Sequence, residues 1–291
     1  MVEEMPLAKI LVCLDTDSQP SVFDGVVAVD AGVEHVFRHG SVTAGAVRDL
    51  VYGAMFTRGP ADLKNTAVFI GGSDVDAGEA LLEKAKKCFF GPMRVSLMLD
   101  SNGANTTAAA AVLSAKKHSP LQGTHATVLG ATGAVGRRVV RLLAREGAIV
   151  KVASRQAARA QEVCDGICKT ISDANLIACE TQSEKSVRAA VDDAVAIIAA
   201  GAPGVELLPD AVRRDCKQLK VAIDLNAVPP GGIGGIAPHD KATEHDGQTC
   251  YGAIGVGGLK MKVHKAAIRR LFESNDAVLD AEEIYELGKS I

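Results

Sequence analysis

Short apolar runs alternate along the chain with longer segments in which apolar residues recur at helical spacing. In the first part, runs typical of strands cover residues 9–14, 67–70 and 95–99, whereas residues 77–87 and 106–117 have the composition and length of helices. Because elements that alternate in this way pack as helices on a sheet, the pattern predicts an α/β fold.

A change in character near residue 120 predicts a domain boundary. An alanine-rich helical segment ends at Lys117, and the strand-like run 126–129 begins soon afterwards. Pro120 and Gly123 lie between them, and both residue types interrupt regular structure. The 291 residues also suffice for about two domains. We therefore predict one α/β domain over residues 1–118 and a second that begins at residue 119.

The second domain opens with the pattern of a dinucleotide-binding unit. The strand 127–129 runs directly into glycines at positions 130, 133 and 136, and an amphipathic helical stretch and a second strand, 149–153, follow. Such glycines let a pyrophosphate approach the backbone, where the free N–H groups and the positive dipole end of the helix bind it. This context predicts a Rossmann domain with a doubly wound sheet, and the predicted cofactor contacts are Gly130, Thr132, Gly133, Ala134, Val135 and Gly136.

The end of the second strand predicts which dinucleotide binds. Sites that prefer NAD carry an Asp or Glu there, which accepts hydrogen bonds from the ribose hydroxyls. This chain has Ser154 and Arg155 instead, and both side chains donate hydrogen bonds that a 2′-phosphate accepts. NADP is therefore the predicted cofactor, with NAD as an alternative. Arg159 either adds a second positive charge or is an ordinary solvated arginine.

Loops after later strands predict further cofactor contacts. Residues 194–200 and 221–225 have the composition of buried strands, and ligands bind at the carboxyl ends of strands in such sheets. The residues at these positions are Ala200, Gly201 and Asn226, and the glycine-rich stretch before a predicted helix that begins at Leu259 adds Gly255. The alternative is that these residues only form the turns that every loop of this fold needs.

Composition and charge exclude several classes of protein. The formal net charge of −3 and a pI near 6.2 argue against nucleic-acid binding and against adhesion to an anionic membrane. No apolar run approaches the ~20 residues of a membrane-spanning helix. Seven cysteines, odd in number and scattered, indicate a reducing cytoplasm. Their spacing, like that of the histidines, does not match a metal site, so we expect no metal.

Several longer blocks closely resemble the bacterial methylene-tetrahydromethanopterin dehydrogenases of one-carbon metabolism, as used in methylotrophy and formaldehyde oxidation. The resemblance runs from about residue 9 to the C-terminus and is far more specific than the glycine pattern alone. The blocks are DTD at 15–17, PSVFD at 20–24, FFGP at 89–92, DSNGANTTAAA at 100–110, the stretch that begins LNA at 225–235 and GVGGLK at 255–260.

The resemblance implies two α/β domains with a reduced pterin between them: residues 1–118 would bind the pterin and residues 119–262 NADP. The helical segment 263–291 would return to the N-terminal domain. The implied reaction oxidises the N5,N10-methylene pterin to the methenyl form, with hydride transfer to NAD(P). Two alternatives stay open, namely the same reaction on methylene-tetrahydrofolate and a non-catalytic NADP-binding sensor. The resemblance also implies a homo-oligomer, a trimer or a multiple of one.

The same resemblance assigns site residues in the polar blocks. It places Thr107 and Lys260 beside the substrate as catalytic residues, with pterin contacts from Asp17, Ser21, Phe23, Asp100, Asn102 and Thr106. Structural alternatives are that Asp100 and Thr107 cap a helix and that Lys260 is a solvated lysine. A carboxylate suits the amino-pyrimidinone edge of a pterin, and Asp15, Asp17 and Asp24 are equally suitable by sequence.

Overall fold

The computed structural model describes residues 7–291. Their contacts divide the chain into two compact units, Met1–Thr106 with Met261–Ile291, and Thr107–Lys260. The divisions at 106/107 and 260/261 lie inside helices, whereas the predicted division at 118/119 lies just before the loop from Pro120 to Gly123. The domain limits inferred from the sequence stay a prediction.

Strands and helices alternate through most of the chain. Two short 3-10 turns, Leu63–Asn65 and Ser101–Gly103, supplement the helices. The strands are β1 (Ile10–Asp15), β2 (His35–His39), β3 (Thr66–Gly71), β4 (Ser96–Leu99), β5 (His125–Leu129), β6 (Ile149–Ser154), β7 (Asn175–Glu180), β8 (Ala196–Ala199), β9 (Val221–Asp224), β10 (Lys241–His245), β11 (Gln248–Tyr251) and β12 (Val278–Leu279). The helices are α1 (Val22–Asp30), α2 (Val47–Met55), α3 (Val75–Lys86), α4 (Ala104–Lys116), α5 (Ala134–Arg145), α6 (Ala157–Cys168), α7 (Glu184–Val191), α8 (Asp210–Asp215), α9 (Ala253–Arg270) and α10 (Ala281–Gly288).

The first unit is built on a parallel sheet with the order β2-β1-β3-β4-β12. All six residues of β3 are buried, as expected for a central strand covered on both faces. The strand order changes direction between β1 and β3, and such a switch point opens a crevice at the carboxyl ends of the strands. An aliphatic core that includes Leu14, Val68 and Leu97 holds the unit together.

The second unit has a seven-stranded sheet with the order β7-β6-β5-β8-β9-β11-β10. Its strands are parallel except for β10, which pairs antiparallel with β11 at one edge. The order reverses between β5 and β8, which is the switch point of a Rossmann sheet. The core of this unit contains Leu129, Ile197 and Ala222, all almost fully buried.

The predicted fold class is confirmed: each unit is α/β, and the second is a doubly wound Rossmann sheet. Two elements differ from the prediction. The segment 263–291, predicted as helical, also contributes β12, which pairs with β4 in the first unit. Helix α9 begins at Ala253 and includes the glycines that were predicted to precede it. Across residues 7–291, no helix is both long and apolar enough to cross a bilayer.

Candidate functional site

The turn between β5 and α5 lies at the switch point of the second unit, and two of its glycines are required by packing. Gly130 has φ of +71°, and an added Cβ would lie 2.7 Å from the Cα of Gly201 in the loop after β8. A Cβ on Gly136 would lie 2.5 Å from the carbonyl oxygen of Gly130. These two glycines therefore fix the tight turn and the close contact between helix and strand.

Gly133 differs, because the packing of the chain does not require it. It is the N-cap of α5 with φ of −76°, and an added Cβ would make only ordinary contacts at 3.5 and 3.6 Å. No side chain caps the helix and no acidic residue lies in its first turn. Gly133 is exposed, and the side chains beside it, Thr132, Ala134 and Val135, are partly exposed. A pyrophosphate fits here, because the backbone N–H groups and the positive dipole end face accessible space.

The end of β6 supplies the groups predicted for a 2′-phosphate. Ser154 is buried, and its Oγ accepts the N–H of Gln156 at 3.3 Å, which leaves its hydroxyl hydrogen to donate. Arg155 and Arg159 are exposed, and within residues 7–291 neither forms an ion pair. Glu180 on β7 lies opposite Ser154, and its carboxylate accepts the N–H of Gln182. Two unpaired guanidinium groups are therefore available for an anion at this edge of the sheet.

Three predicted cofactor residues have clear structural roles. The N–H of Ala200 donates to the carbonyl of Leu129 at 2.9 Å, which extends the pairing of β8 with β5. Gly201 lies against Gly130, as described above. Gly255 is buried in α9, where an added Cβ would lie 1.8 Å from the carbonyl oxygen of Asp240. That glycine permits a close approach of helix and loop, and its role in cofactor binding stays a prediction.

The Asn226 side chain is committed to its own loop. Its Nδ2 donates to the carbonyl of Pro230 at 3.1 Å, and its Oδ1 accepts the N–H of Val228 at 2.9 Å. The loop is further held by Asp224, a buried residue whose carboxylate accepts three backbone N–H groups. Desolvation by burial raises the pKa of Asp224, and those N–H groups oppose the rise by stabilising the carboxylate.

At the switch point of the first unit, carboxylates organise the ends of β1 and β3. Asp15 is buried, and its two oxygens accept the N–H groups of Asp17 at 2.8 Å and Ser21 at 3.1 Å. Asp17 is partly exposed and joins the two strand ends, since it accepts the N–H and the hydroxyl of Ser73 at 2.9 and 2.7 Å. Ser21 caps α1 by accepting the N–H of Asp24 at 3.2 Å.

The end of β4 carries a second polar group in the same unit. The carboxylate of Asp100 is buried and accepts the N–H of Asn105 at 2.9 Å and both the N–H and the hydroxyl of Thr106, at 3.0 and 2.7 Å. Asp100 and Thr106 therefore stabilise the start of α4, which was the structural alternative for Asp100. Asn102 is exposed and has φ of +54°, and its N–H donates to the carbonyl of Gly72 at 2.7 Å. It lies at the carboxyl edge of the sheet.

Phe23 and the catalytic candidates occupy helices. Phe23, on α1, is half exposed, and its ring centroid lies 6.3 Å from that of the fully buried His264. The Nδ1 of His264 lies 3.9 Å from a carboxylate oxygen of Asp100. Thr107 lies in α4 and Lys260 in α9, and both are partly buried. Their catalytic roles stay a prediction.

The structure thus groups many of the predicted residues at the carboxyl ends of strands in the two sheets. The turn 130–136 meets Gly201 in the second unit, whereas Asp17 and Ser21 lie at one switch point and Asp100, Asn102 and Thr106 at the neighbouring strand end in the first. Sequence reasoning did not identify Asp224 or His264 as site residues. The signal for Asp224 was an acid at the end of an apolar strand; the signal for His264 was its helical spacing from Lys260.

Two family models match separate parts of the chain. Residues 22–102 match the family model "Methylene-tetrahydromethanopterin dehydrogenase, N-terminal", and residues 126–210 match the NAD dependent epimerase/dehydratase family. Shikimate 5-dehydrogenase from Listeria monocytogenes, solved with shikimate and NAD, shares the fold with a TM-score of 0.56, 16% identity and coverage of 96% of each chain.

Two relatives come from Methylorubrum extorquens. The Bifunctional protein MdtA is 47% identical over 97% of this chain and 99% of its own length. The NAD(P)-dependent methylenetetrahydromethanopterin dehydrogenase is 29% identical over 93% of this chain and 94% of its own. The Rossmann sheet and its glycine turn define a dinucleotide-binding α/β protein, and together with the two relatives they make its class an oxidoreductase. Within that class, the chain belongs to the methylene-tetrahydromethanopterin dehydrogenase family.

Proposed function

We propose that this protein is a methylene-tetrahydromethanopterin dehydrogenase, which oxidises the N5,N10-methylene pterin to the methenyl form with NADP as hydride acceptor. The observation that carries the proposal is the 47% identity to the bifunctional relative over nearly the whole of both chains. The family model over residues 22–102 and the name of the 29% identical relative support the same reaction.

The preference for NADP is supported by the end of β6. A carboxylate at this position would repel a 2′-phosphate, whereas Ser154 donates a hydrogen bond and Arg155 a charge-assisted pair of them. Both guanidinium groups near this edge, those of Arg155 and Arg159, are exposed and unpaired within the described chain. The turn from Gly130 to Gly136 would hold the pyrophosphate through backbone N–H groups.

The reaction requires the protein to position the reacting groups of pterin and cofactor rather than to transfer protons. NADP, when bound, supplies the carbon that accepts the hydride. The methenyl product is a cation delocalised over two nitrogens, so the chain needs no general base. Lys260, in our proposal, orients the pterin through the polar groups of the pterin ring. Its positive charge disfavours a fully formed cation nearby, so we assign it a positioning role and not that of an acid or base. Thr107 serves as a second positioning group, and both align the reacting atoms and help to exclude water.

The carboxyl edge of the first unit supports the proposed pterin contacts. Asp15 is buried, and both its oxygens accept backbone N–H groups of its own loop, so we assign it to structure. Asp17 is partly exposed at the switch point, and we propose that it binds the amino-pyrimidinone edge. Ser21, Phe23 and Asn102 complete the proposed contacts, whereas Asp100 and Thr106 act by holding the start of α4.

The values of kcat/KM for methylene-tetrahydromethanopterin and for methylene-tetrahydrofolate, each measured with NADP and with NAD, test the proposal. We expect kcat/KM to be highest for methylene-tetrahydromethanopterin with NADP, lower with NAD, and to favour that pterin over methylene-tetrahydrofolate. Formation of the methenyl product and of NADPH is followed by near-ultraviolet absorbance. Methylene-tetrahydrofolate is the second candidate substrate, because the two pterins share the reacting ring. NADP binding without turnover of either pterin would instead identify a non-catalytic sensor.

We also propose that the protein acts in the cytoplasm as a homo-oligomer, a trimer or a multiple of one. Seven free cysteines support a reducing compartment. Helix α1 supports self-assembly, because Val22, Val26 and Val29 are 69%, 57% and 61% exposed on one helical face. An apolar stripe of this kind marks an interaction surface.

A further inference from the structure

The carboxylate of Asp224 is the centre of the loop that follows β9. The residue is 2% exposed. One oxygen accepts the N–H of Asn226 at 3.0 Å, and the other accepts the N–H groups of Gly232 and Ile233 at 2.8 and 3.2 Å. Three donors that converge on one buried carboxylate compensate it for the loss of water. The positions of Asn226 and of Gly232 are therefore set by a single side chain.

The loop is fitted closely to that carboxylate. An added Cβ on Gly231 or on Gly232 would lie 2.8 Å from an Asp224 oxygen. A side chain at either position would displace the carboxylate or the loop, because real Cβ atoms do not approach so closely. The two glycines and Asp224 thus form one packed unit rather than a flexible turn.

A continuous set of contacts leads from this unit to the glycine turn. The carbonyl of Gly232 accepts the N–H groups of Leu207 at 2.8 Å and Leu208 at 3.1 Å. The side chain of Leu207 packs on Gly201, where an added Cβ would lie 2.5 Å from its Cδ1. Gly201 in turn lies against Gly130, the first glycine of the turn. Each step joins directly contacting groups in the second unit.

We propose that Asp224 is a positioning residue for the dinucleotide site, which acts through Gly232, Leu207 and Gly201 on the turn at Gly130. The proposal rests on the dinucleotide binding described under the proposed function. Moving the carboxylate shifts the Gly232 carbonyl, and Leu207 then no longer supports Gly201 at the position that Gly130 requires. The residues of the glycine turn are unchanged in such a variant, but the position of the turn relative to Gly201 is less well fixed.

The test compares Asp224→Asn, Leu207→Ala and the double variant by fluorescence titration with NADPH. In Asp224→Asn, the side chain keeps one acceptor oxygen, and its new amide NH2 would face one or two of the three N–H groups that need an acceptor. We expect each single variant to raise the Kd for NADPH roughly three- to thirty-fold, with a much smaller change in KM for the methylene pterin. Since both substitutions interrupt the same path, the double variant should raise Kd by less than the product of the single effects.

Asp192→Asn is the matched control. Asp192 pairs with the buried Lys151 of β6 at 3.1 Å in the same unit, and neither residue belongs to the path from Asp224 to Gly130, so its loss perturbs stability without altering that path. We expect it to lower the melting temperature and leave the Kd for NADPH unchanged. Unaltered NADPH binding in Leu207→Ala, which keeps the carboxylate and is the variant to rely on if Asp224→Asn does not fold, would overturn the inference. So would multiplicative effects in the double variant. Wild-type protein that binds no NADPH would overturn the proposed function, and the inference with it.

Discussion

At the end of β6, Arg155 is exposed and forms no ion pair with the part of the chain that the structure describes. In our proposal, Arg155 donates to the 2′-phosphate, which NADP has and NAD lacks, so replacement by Ala removes a donor that only NADP uses. We expect Arg155→Ala to raise the Kd for NADP about tenfold or more, the usual cost of a lost hydrogen bond to a charged group, and to leave the Kd for NAD nearly unchanged. Titration of both dinucleotides measures this.

Lys185→Ala serves as the control for Arg155→Ala, because it also removes an exposed positive charge, from α7. Its effect on the Kd for NADP should be small and should vanish at high salt. Equal losses in the two variants would mean that Arg155 contributes only to the general electrostatic field. Equal losses of NAD and NADP affinity in Arg155→Ala would contradict the assignment of the 2′-phosphate to this residue.

His118 and Tyr251 form a hydrogen bond in surroundings that favour the neutral form of both groups. Burial raises the pKa of Tyr251, so its hydroxyl stays protonated; its oxygen lies 2.7 Å from Nε2 of His118. Desolvation, helped by Lys117, lowers the pKa of His118, which favours the neutral imidazole. Because the unfolded chain then binds the proton more readily, stability should fall as the pH drops through about 6.5 towards the lower folded pKa.

Melting temperatures of wild type and His118→Gln across this pH range test the expectation. The glutamine amide has both a donor and an acceptor for this hydrogen bond but does not titrate, so the melting temperature of the variant should decline less between neutral and mildly acidic pH. The contribution of His118 to stability is fully present above the unfolded pKa. Parallel pH profiles for the two proteins would show that this histidine does not report on folding.

The positions of candidate residues were predictable where the chemistry is local in sequence. The glycine turn, Ser154 and Arg155 lie within one βαβ unit, so spacing alone located them, and their roles stay a prediction. Asp224 was not predictable, because two of its donors, Gly232 and Ile233, lie across a loop whose path the sequence does not specify. Asp100 shows the same limit: an acid at a strand end suits both a ligand and a helix cap, and only the contacts with Asn105 and Thr106 show the cap.

Helix α9 contains two glycines, Gly255 and Gly258, whose surroundings differ. An added Cβ on Gly255 would lie 1.8 Å from the Asp240 carbonyl, whereas one on Gly258 would meet nothing within 4 Å. We expect Gly255→Ala to destabilise the protein by about 1–3 kcal/mol through overpacking. Gly258→Ala should instead stabilise it by up to about 1 kcal/mol, because alanine favours a helix interior.

Urea unfolding of both variants measures the difference. If the glycines acted only through helix propensity, both substitutions would stabilise, and the close contact at Gly255 would have no energetic effect. The same pair explains why sequence reasoning placed the start of this helix too late: glycine normally disfavours a helix, and tertiary contacts override that preference here. The strand β12, with only two residues, likewise exists through its pairing with β4 rather than through its own pattern.

The whole molecule contains two sheets, and each has one switch point. Each open α/β sheet offers a crevice where its strand order reverses, at β1 and β3 in the first unit and at β5 and β8 in the second. Hydride transfer needs two ligands with separate binding groups, and we propose that each switch point binds one of them. The periodicity of strands and helices was enough to predict both sheets.

The exposed face of α1 predicts how copies of the chain assemble. Helix α1 buries only Val27 and Ala28, while Val22, Val26 and Val29 lie on its exposed face. Interfaces of standard size cover roughly 800 Å² per partner around an apolar centre, and this stripe suits such a centre. If copies of the chain cover it, Val26→Glu places a charge in the interface and should convert the oligomer to a 30.2 kDa monomer.

Light scattering coupled to size-exclusion chromatography determines the mass of each species. Val205→Glu is the control, since Val205 is also exposed, at 42%, but lies outside α1; its oligomer should match the wild type. A wild-type mass of one chain would contradict self-assembly. An oligomer that persists in Val26→Glu would instead place the interface elsewhere, because a buried, unpaired carboxylate at the centre of a contact costs too much for the contact to survive.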